Sequence, residues 1–231
     1  MKTTVKQKGK LIIIEGTDGT GKGTQFLKLV GRLKKSGKKV ATFDFPQYDK
    51  PSSFFVTQYL NGNYGSAVEV GPYKASVFYA LDRFDITPKI LKEISGGRLV
   101  VSNRYVESNM GHQGAKIKNR AERLKFFNWL KETEYGILGI PKPDLCIILH
   151  IPADVAQKLV DKKAKRKYIG GKKRDIHEAD LGHLKLAEKT YLEIARLFPK
   201  TYVVVECMDK GRLLSIDEVH EKIWKIVKNN I

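Results

Sequence analysis

The sequence predicts an α/β fold in which one five-stranded parallel sheet carries helices on both faces. Strand-like and helix-like segments alternate along the whole 231-residue chain, which is the pattern of consecutive βαβ units. The first strand-like segment runs directly into a glycine-rich loop that opens a helix. No change of composition divides the chain, so we expect residues 1–231 to form a single domain.

The predicted strands are short apolar runs, and the continuous runs are typical of strands buried on both faces of a sheet. They are Lys10–Gly16, Lys39–Phe45, Arg98–Asn103, Leu145–Ile151 and Thr201–Cys207.

Apolar residues at helical spacing predict the helices between these strands. In chain order they are Gln25–Ser36, Tyr73–Phe84, Pro88–Ile94, Arg120–Glu132, Asp154–Lys163, Leu181–Leu197 and Ile216–Val227. Gly37 ends the first helix, and Ser215 with Glu218 forms a capping box at the start of the last.

Composition limits the class of protein. Apolar residues make up 42% of the chain, enough for a hydrophobic core, which excludes a disordered chain. No apolar run approaches the roughly 20 residues of a membrane-spanning helix, so we expect no membrane association. Cys146 and Cys207 both fall in strand-like apolar runs, which predicts buried reduced thiols and a cytoplasmic protein.

The net charge of +18 is unusually high for a chain of this length. It predicts attraction for anions, whether nucleotides, nucleic acid or acidic lipid. Most of the excess is lysine in helix-like segments, which favours a solvated basic surface. No RNA-binding signature and no basic tail is present, so we expect no specific nucleic-acid partner.

The residues after the first strand form a phosphate-binding loop. The stretch from Gly16 to Lys22 matches the pattern GxxxxGK between a strand and a helix. Glycines let backbone N–H groups surround a phosphate, the helix N-terminus adds its dipole, and Lys22 reaches the β- and γ-phosphates. The predicted ATP-binding residues are Gly16, Gly19, Gly21, Lys22, Gly23 and Thr24. Gly23 stands where the pattern has Ser or Thr, so the usual Mg²⁺-binding hydroxyl is missing and Thr24 is next in line.

A second pocket is predicted beside this loop, because ligands of open α/β sheets bind outside the carboxyl ends of the strands. Tyr79 and Arg83 are four residues apart and share one helix face. An aromatic ring that stacks on a base, beside a guanidinium that bonds its carbonyl, makes a base pocket. The alternative is that Tyr79 belongs to the core and Arg83 pairs with a surface acid. We expect the buried face of this helix to contain Val77, Ala80, Leu81 and Phe84.

Several motifs follow one another along the chain: EGTDGTGKGTQ, FPQY, YALDR, NRYVESN with HQGAK, and the DxHE after a basic loop. Together they resemble the thymidylate (dTMP) kinase family of P-loop nucleoside monophosphate kinases. They span roughly residues 10 to 195, and the combination is much more specific than the phosphate-binding loop alone. The resemblance implies the P-loop NTPase fold, ATP and dTMP as substrates, Mg²⁺ as cofactor and a homodimer.

The resemblance also assigns roles in substrate binding. The residues concerned are Asp18, Phe45, Tyr79, Arg83, Arg104, Ser108, Asn109, His112 and Gln113. Asp18 would accept a hydrogen bond from the sugar 3′-hydroxyl. Phe45 and Tyr79 would line or stack on the pyrimidine, with Phe78 as the rival if the helix register slips.

The edge of the base and the phosphate are assigned in the same way. Arg83 and Asn109 would bond the thymine edge, and Arg104 would hold the monophosphate in line. The basic loop at about 165–175 resembles the lid that closes over ATP, and an arginine from it would stabilise charge in the transition state. The implied catalytic residues are Lys22, Arg104, Arg166 and Arg174.

Three residues depart from the family's pattern. Asn103 stands where the family has aspartate, but the phosphate acceptor is mostly deprotonated already, so we expect a metal-positioning effect rather than inactivation. Gln47 replaces a frequent arginine, and Lys50 is a possible substitute. His112 occupies an aromatic position that crowds the sugar 2′ carbon, which leaves sugar selectivity open. Thr24 or Asn103 would reach Mg²⁺ through water.

The sequence therefore predicts transfer of the γ-phosphoryl group of ATP to dTMP. The alternatives are a kinase for another pyrimidine nucleoside monophosphate, a deoxynucleoside kinase, and a P-loop nucleotide- or nucleic-acid-binding protein that has lost kinase activity. A homodimer is expected by analogy, with apolar helix faces near Phe54–Leu60 and Phe126–Leu130 as candidate interfaces.

Overall fold

Five parallel strands form the centre of the molecule, as predicted. The computed structural model describes residues 9–161 and 181–231. The strands are β1 (Leu11–Gly16), β2 (Val40–Asp44), β3 (Leu99–Asn103), β4 (Leu145–His150) and β5 (Tyr202–Glu206). Their order in the sheet is β2-β3-β1-β4-β5, and each lies within one residue of its predicted ends.

Helices connect these strands. They are α1 (Lys22–Lys35), α2 (Phe54–Leu60), α3 (Ala67–Ser95), α4 (Val106–Ser108), α5 (Arg120–Lys131), α6 (Ala153–Asp161), α7 (Leu181–Leu197) and α8 (Ile216–Lys228). The predicted capping box of α8 is present. Elements that the sequence did not predict are α4, a 3₁₀ turn at Pro51–Ser53, π-helical turns at Asn109–Gln113 and Glu132–Ile137, and a hairpin of β6 (Met208–Asp209) and β7 (Arg212–Leu213).

The central strand β1 shows why helices cover both faces of the sheet. Its residues are buried throughout and alternate between two hydrophobic clusters. Leu11 and Ile13 face a cluster completed by α3, α5 and α7. Ile12 and Ile14 face a cluster completed by α1, α6 and α8. Such double burial favours apolar residues on both faces, which explains the uninterrupted apolar run ahead of Glu15.

The two helices predicted at Tyr73–Phe84 and Pro88–Ile94 are parts of α3. This helix begins at Ala67, bends at Gly71 where φ is 74°, and continues through Pro88 to Ser95. Proline removes one backbone hydrogen bond but does not end the helix here.

The predicted buried face of α3 is wrong. Ala80 is buried, but Val77, Leu81 and Phe84 are 37%, 40% and 48% exposed. The inward face instead carries the charged pair Asp82 and Arg83, 1% and 2% exposed. Charged side chains are buried only where partners compensate their lost hydration, and a pattern of apolar spacing does not reveal such partners.

Further expectations are settled by burial. The predicted interface at Phe126–Leu130 is wrong, because Phe126, Phe127 and Leu130 are fully buried in the core. Phe54 and Phe55 in α2 are 56% and 45% exposed.

Cys146 and Cys207 are buried free thiols, as predicted. Among the helices of the described ranges, none combines the length and apolarity needed to cross a membrane.

Candidate active site

The loop between β1 and α1 has the backbone of a phosphate cradle. Gly16, Gly19 and Gly21 have φ of 138°, 90° and 83°, which side chains with a Cβ rarely adopt. At Gly19 a Cβ would also lie 2.1 Å from the Ala156 carbonyl oxygen, so α6 packs directly on the loop. Lys22 bridges the loop by donating from Nζ to the Thr17 carbonyl at 2.7 Å.

The first turn of α1 faces the adjoining cavity. Gly21 caps the helix without a side-chain hydrogen bond, so no capping side chain occupies the first-turn N–H groups that suit an anion. Gly23 has ordinary helical geometry, and a Cβ there would meet nothing within 4 Å. Neither backbone conformation nor space therefore requires glycine at the position that replaces the usual hydroxyl. Thr24 lies beside it and lines the cavity.

A cavity of about 390 Å³ opens between this loop and the ends of β2 and β3. Its walls include Gly21, Lys22, Gly23 and Thr24 together with all nine predicted substrate-binding residues: Asp18, Phe45, Tyr79, Arg83, Arg104, Ser108, Asn109, His112 and Gln113. The fold thus brings together residues that are up to 95 positions apart in the chain, counting from Asp18 to Gln113.

Arg104 lines the cavity directly after β3, with a left-handed φ of 64°. Such backbone strain in a non-glycine residue is concentrated at functional sites. Its guanidinium pairs with Asp18 and donates to Ser108 Oγ at 3.3 Å. Burial alone would lower the pKa of Arg104, but the nearby acidic groups, Asp18 first among them, together outweigh burial and hold the pKa well above its usual value. Arg104 is therefore a fixed cation, suited to an anionic group.

Glu15 holds the backbone next to Arg104 in place by hydrogen bonds. This fully buried carboxylate accepts from the Tyr105 N–H at 2.7 Å. It also accepts from Ser108 Oγ and from the Tyr191 hydroxyl, each at 3.0 Å. A single carboxylate at the end of β1 thereby joins β3, α4 and α7.

Arg83 does not pair with a surface acid, as the alternative interpretation held; its partner is the fully buried Glu134. Arg83 donates from Nε and Nη2 to the two Glu134 oxygens at 2.6 and 2.7 Å. Asn109 donates from Nδ2 to the same carboxylate at 2.9 Å. Glu134 lies on the π-helical turn after α5, and this turn has no sequence signature that predicts an inward-facing glutamate.

Tyr79, not Phe78, lines the cavity. Phe78 does not line it; the Phe78 ring stacks on Phe55 with the centroids 5.8 Å apart. Tyr79 meets the Tyr59 ring edge-on at 6.3 Å. Phe45 also lines the cavity, and its ring centroid lies 5.9 Å from that of Tyr105.

Asp44, at the end of β2, is a cavity residue that sequence reasoning did not select. It lies opposite Asn103 in the sheet, and Asn103 Nδ2 donates to Asp44 Oδ1 at 2.8 Å. Burial raises the pKa of Asp44. The acid that the family's pattern places on β3 therefore has a counterpart on the neighbouring strand. That Asp44 ends a strand beside FPQY was the available signal.

Gln47, within FPQY, and Lys50, just after it, do not line the cavity. Gln47 instead binds Asp82 through its backbone N–H at 2.9 Å and donates from Nε2 to the Asp82 carbonyl at 3.0 Å. Lys50 pairs with Asp49 at 3.6 Å.

His112 contacts Arg104, with Nε2 and Nη1 3.5 Å apart. Burial holds the pKa of His112 well below its usual value, and the Arg104 charge acts in the same direction. The imidazole is therefore neutral at physiological pH.

The predicted lid at about 165–175, with Arg166 and Arg174, lies outside the described residues.

Comparison with known proteins agrees with this geometry. The thymidylate kinase family model matches residues 14–223. The chain belongs to the thymidylate kinase family. It is 32% identical over 206 residues to the thymidylate kinase of Mycobacterium tuberculosis (strain CDC 1551 / Oshkosh), covering 88% of this chain and 94% of the relative.

Other members of the thymidylate kinase family are similar over different lengths. Human thymidylate kinase is 29% identical over 153 residues, 66% of each chain. The enzyme of Thermoanaerobacter sp. (strain X514) is 28% identical over 222 residues, covering 96% of this chain and 98% of the relative. The solved structure of thymidylate kinase from Candida albicans matches with a TM-score of 0.72 and 22% identity, over 96% and 92% of the two chains. The predicted fold class and family are thereby confirmed.

Proposed function

We propose that the chain, as a single kinase domain over residues 1–231, transfers the γ-phosphoryl group of ATP to dTMP in the cavity described above, giving dTDP. Membership of the thymidylate kinase family supports the reaction. One observation supports the site: the phosphate-binding loop and the fixed cation Arg104 face one another across the same cavity as the base-binding candidates. A donor phosphate on the loop and an acceptor phosphate on Arg104 would then meet in this cavity, as in-line transfer requires.

The base lies against the α3 side of the cavity. Tyr79 and Phe45 supply flat apolar surfaces for the pyrimidine, and Arg83 with Asn109 bonds its polar edge. Asp18 accepts from the sugar hydroxyl and keeps Arg104 charged. Arg104 then receives the monophosphate through charge-assisted hydrogen bonds, each contributing about 1.5–3 kcal/mol. Catalysis follows from position and charge, because phosphoryl transfer needs no covalent intermediate.

The donor side uses α1 and the lid. Lys22 and the first-turn N–H groups of α1 hold the β- and γ-phosphates. We infer that Arg166 or Arg174 supplies positive charge to the transferred group, an effect on the order of 10³–10⁵ in rate for arginines of this kind.

The residues near the phosphates fit Mg²⁺, which prefers hard oxygen ligands. Asp44 offers a carboxylate, and Asn103 Oδ1 is a buried oxygen without a hydrogen-bond partner among the described residues. Asp44, Asn103 through water, and Thr24 would hold the ion. When bound, Mg²⁺ neutralises phosphate charge. The acceptor phosphate needs no general base, since its second pKa of about 6 leaves it largely deprotonated.

We also infer a homodimer that buries the outer face of α3. Val77, Leu81, Phe84 and Leu91 recur at helical spacing on this face and are 37–48% exposed. The adjacent Phe54 and Phe55 extend the patch, which is the kind of surface that marks an interface. The same helix presents Arg83 to the cavity on its opposite side, so dimer contact and base pocket share one element. Two buried free thiols support a cytoplasmic location.

The test is an assay of ADP release with ATP, Mg²⁺ and dTMP, dUMP, UMP, dCMP or AMP. We expect preference for dTMP. Arg104→Gln should raise the KM for dTMP by about 10–100-fold, since one charged hydrogen-bonding group is lost. Arg98→Gln is the matched control, because Arg98 pairs with Glu93 at the surface outside the cavity. Equal use of all five acceptors, or an unchanged KM in Arg104→Gln, would contradict the proposal.

A further inference from the structure

Glu134 lies behind the two side chains proposed to bond the base, and it is fully buried. Its Oε2 accepts from Arg83 Nε at 2.6 Å. Its Oε1 accepts both from Arg83 Nη2 at 2.7 Å and from Asn109 Nδ2 at 2.9 Å. One oxygen atom thus joins the guanidinium to the amide, which places these groups side by side at the cavity wall.

These contacts determine which atom Asn109 offers to a ligand. Its Nδ2 donates to Glu134 and also to the backbone carbonyl of Ser76 at 3.1 Å. Both amide hydrogens are therefore used, and the remaining group is the acceptor Oδ1. A carboxylate accepts hydrogen bonds but donates none, so Glu134 opposes the reversed amide orientation.

Arg83 offers the opposite kind of group. Two of its N–H groups donate to Glu134, and a third donates to the Tyr105 carbonyl at 3.3 Å. A guanidinium has five N–H donors, so two are left for other acceptors. The wall therefore presents a donor beside an acceptor. Thymine and uracil match this pair with a 4-carbonyl and an N3–H, whereas cytosine presents an amino group and a bare N3.

We propose that Glu134 is the positioning residue that makes this pocket prefer bases with a 4-carbonyl and an N3–H over cytosine. The inference rests on the proposed function, in which Arg83 and Asn109 face the base. Glu134 does not line the cavity. It acts by compensating the buried charge of Arg83 and by holding the amide oxygen of Asn109 toward the ligand.

The test compares kcat/KM for dTMP with kcat/KM for dCMP in the full-length chain and in Glu134→Gln. We expect the dTMP/dCMP ratio to fall about tenfold, because a glutamine permits the reversed amide and one hydrogen bond to the base becomes a mismatch. A merely structural loss of active protein lowers both values equally and leaves the ratio unchanged. Glu107→Gln is the matched control, since Glu107 is also fully buried but lies outside the cavity wall.

A ratio in Glu134→Gln within twofold of the wild-type ratio would overturn the proposal, and a larger fall would support it. If that variant does not fold, Glu134→Asp decides by the same twofold criterion, because it keeps the charge beside Arg83 and withdraws the carboxylate by one methylene. Failure of the proposed function gives a different result: the wild-type chain itself shows no preference for dTMP over dCMP, or Arg83→Gln retains that preference.

Discussion

The buried carboxyl of Glu107 predicts a pH-dependent loss of stability that one substitution should remove. Glu107 is 0% exposed, and its Oε1 accepts from the hydroxyls of Tyr135 and Tyr202 at 2.9 and 2.8 Å. Its Oε2 has no hydrogen-bond partner among the described residues. Burial, aided by the nearby charge of Glu15, raises the pKa of Glu107 from 4.5 to about 7.

The direction of the effect follows from proton linkage. Between pH 4.5 and 7 the folded chain holds a proton at Glu107 that the unfolded chain has lost, so the free energy of unfolding falls as pH rises through this window. The rise of the Glu107 pKa from 4.5 to about 7, at about 1.36 kcal/mol for each pH unit, gives a loss of about 3 kcal/mol. Glu107→Gln keeps the shape and both tyrosine hydrogen bonds but cannot ionise, so it should lack this loss.

The assay is urea unfolding of the wild-type chain and Glu107→Gln at pH 5 and pH 7.5. All other titrating groups are common to both proteins, so the difference between their pH dependences isolates Glu107. Glu122→Gln is the control, because Glu122 is exposed and forms a surface pair with Lys125, and it should follow the wild type. Parallel pH dependences of the wild type and Glu107→Gln would refute the reasoning.

Three further predictions concern the site and its supports. Gly23→Ser has space for its side chain and restores the hydroxyl of the phosphate-binding pattern. In a titration with Mg²⁺ we expect this variant to reach half-maximal activity at a several-fold lower Mg²⁺ concentration than the wild type. An unchanged Mg²⁺ requirement would exclude metal binding by this position. Gly111→Ala would place a Cβ 2.4 Å from the Tyr191 ring, so we expect the free energy of unfolding, measured by heat or urea, to fall by about 1–3 kcal/mol. A variant as stable as the wild type would show that the ring moves freely. If the chain forms the proposed homodimer, Leu81→Glu or Phe84→Glu should yield a monomer in sedimentation experiments, and a dimer that persists in both variants would contradict an interface on the outer face of α3.

The central strands β1 and β4 were predictable because double burial leaves an uninterrupted apolar run. The edge strands β2 and β5 are only partly buried, and their shorter apolar stretches were still sufficient to predict them. The phosphate-binding loop was predictable because Gly16, Gly19 and Gly21 need backbone conformations that other residues avoid. The orientation of α3 was not. Its apolar residues face outward and Arg83 faces inward, because the ion partner of Arg83 comes from a segment 51 residues away. Local periodicity contains no information about such a partner.

The cavity residues were predicted, but the partner that orients two of them was not, because it lies on an irregular helical turn. Asn109 and Glu134 each lie on a π-helical turn, at Asn109–Gln113 and Glu132–Ile137. The wider turn shifts a side chain away from the face that helical spacing would assign to it, and π-helical turns are frequent at functional sites. Motifs located Asn109 by resemblance, but Glu134 belongs to none of them.

The pair of Arg83 and Glu134 also allows specificity to be separated from stability. Burying two charges costs several kcal/mol per ion, and an apolar pair of similar volume is often equally stable or more stable, whereas removal of one partner costs about 3–5 kcal/mol. We therefore expect Arg83→Met and Glu134→Leu each to be strongly destabilised in urea unfolding, and the double variant to recover most of the wild-type stability. The double variant should nevertheless lose its preference for dTMP, because Asn109 keeps only its bond to Ser76 and the donor beside it is gone. If the double variant were as unstable as the single ones, the ion pair would be a net source of stability, and its presence in the base pocket would need no explanation from selectivity.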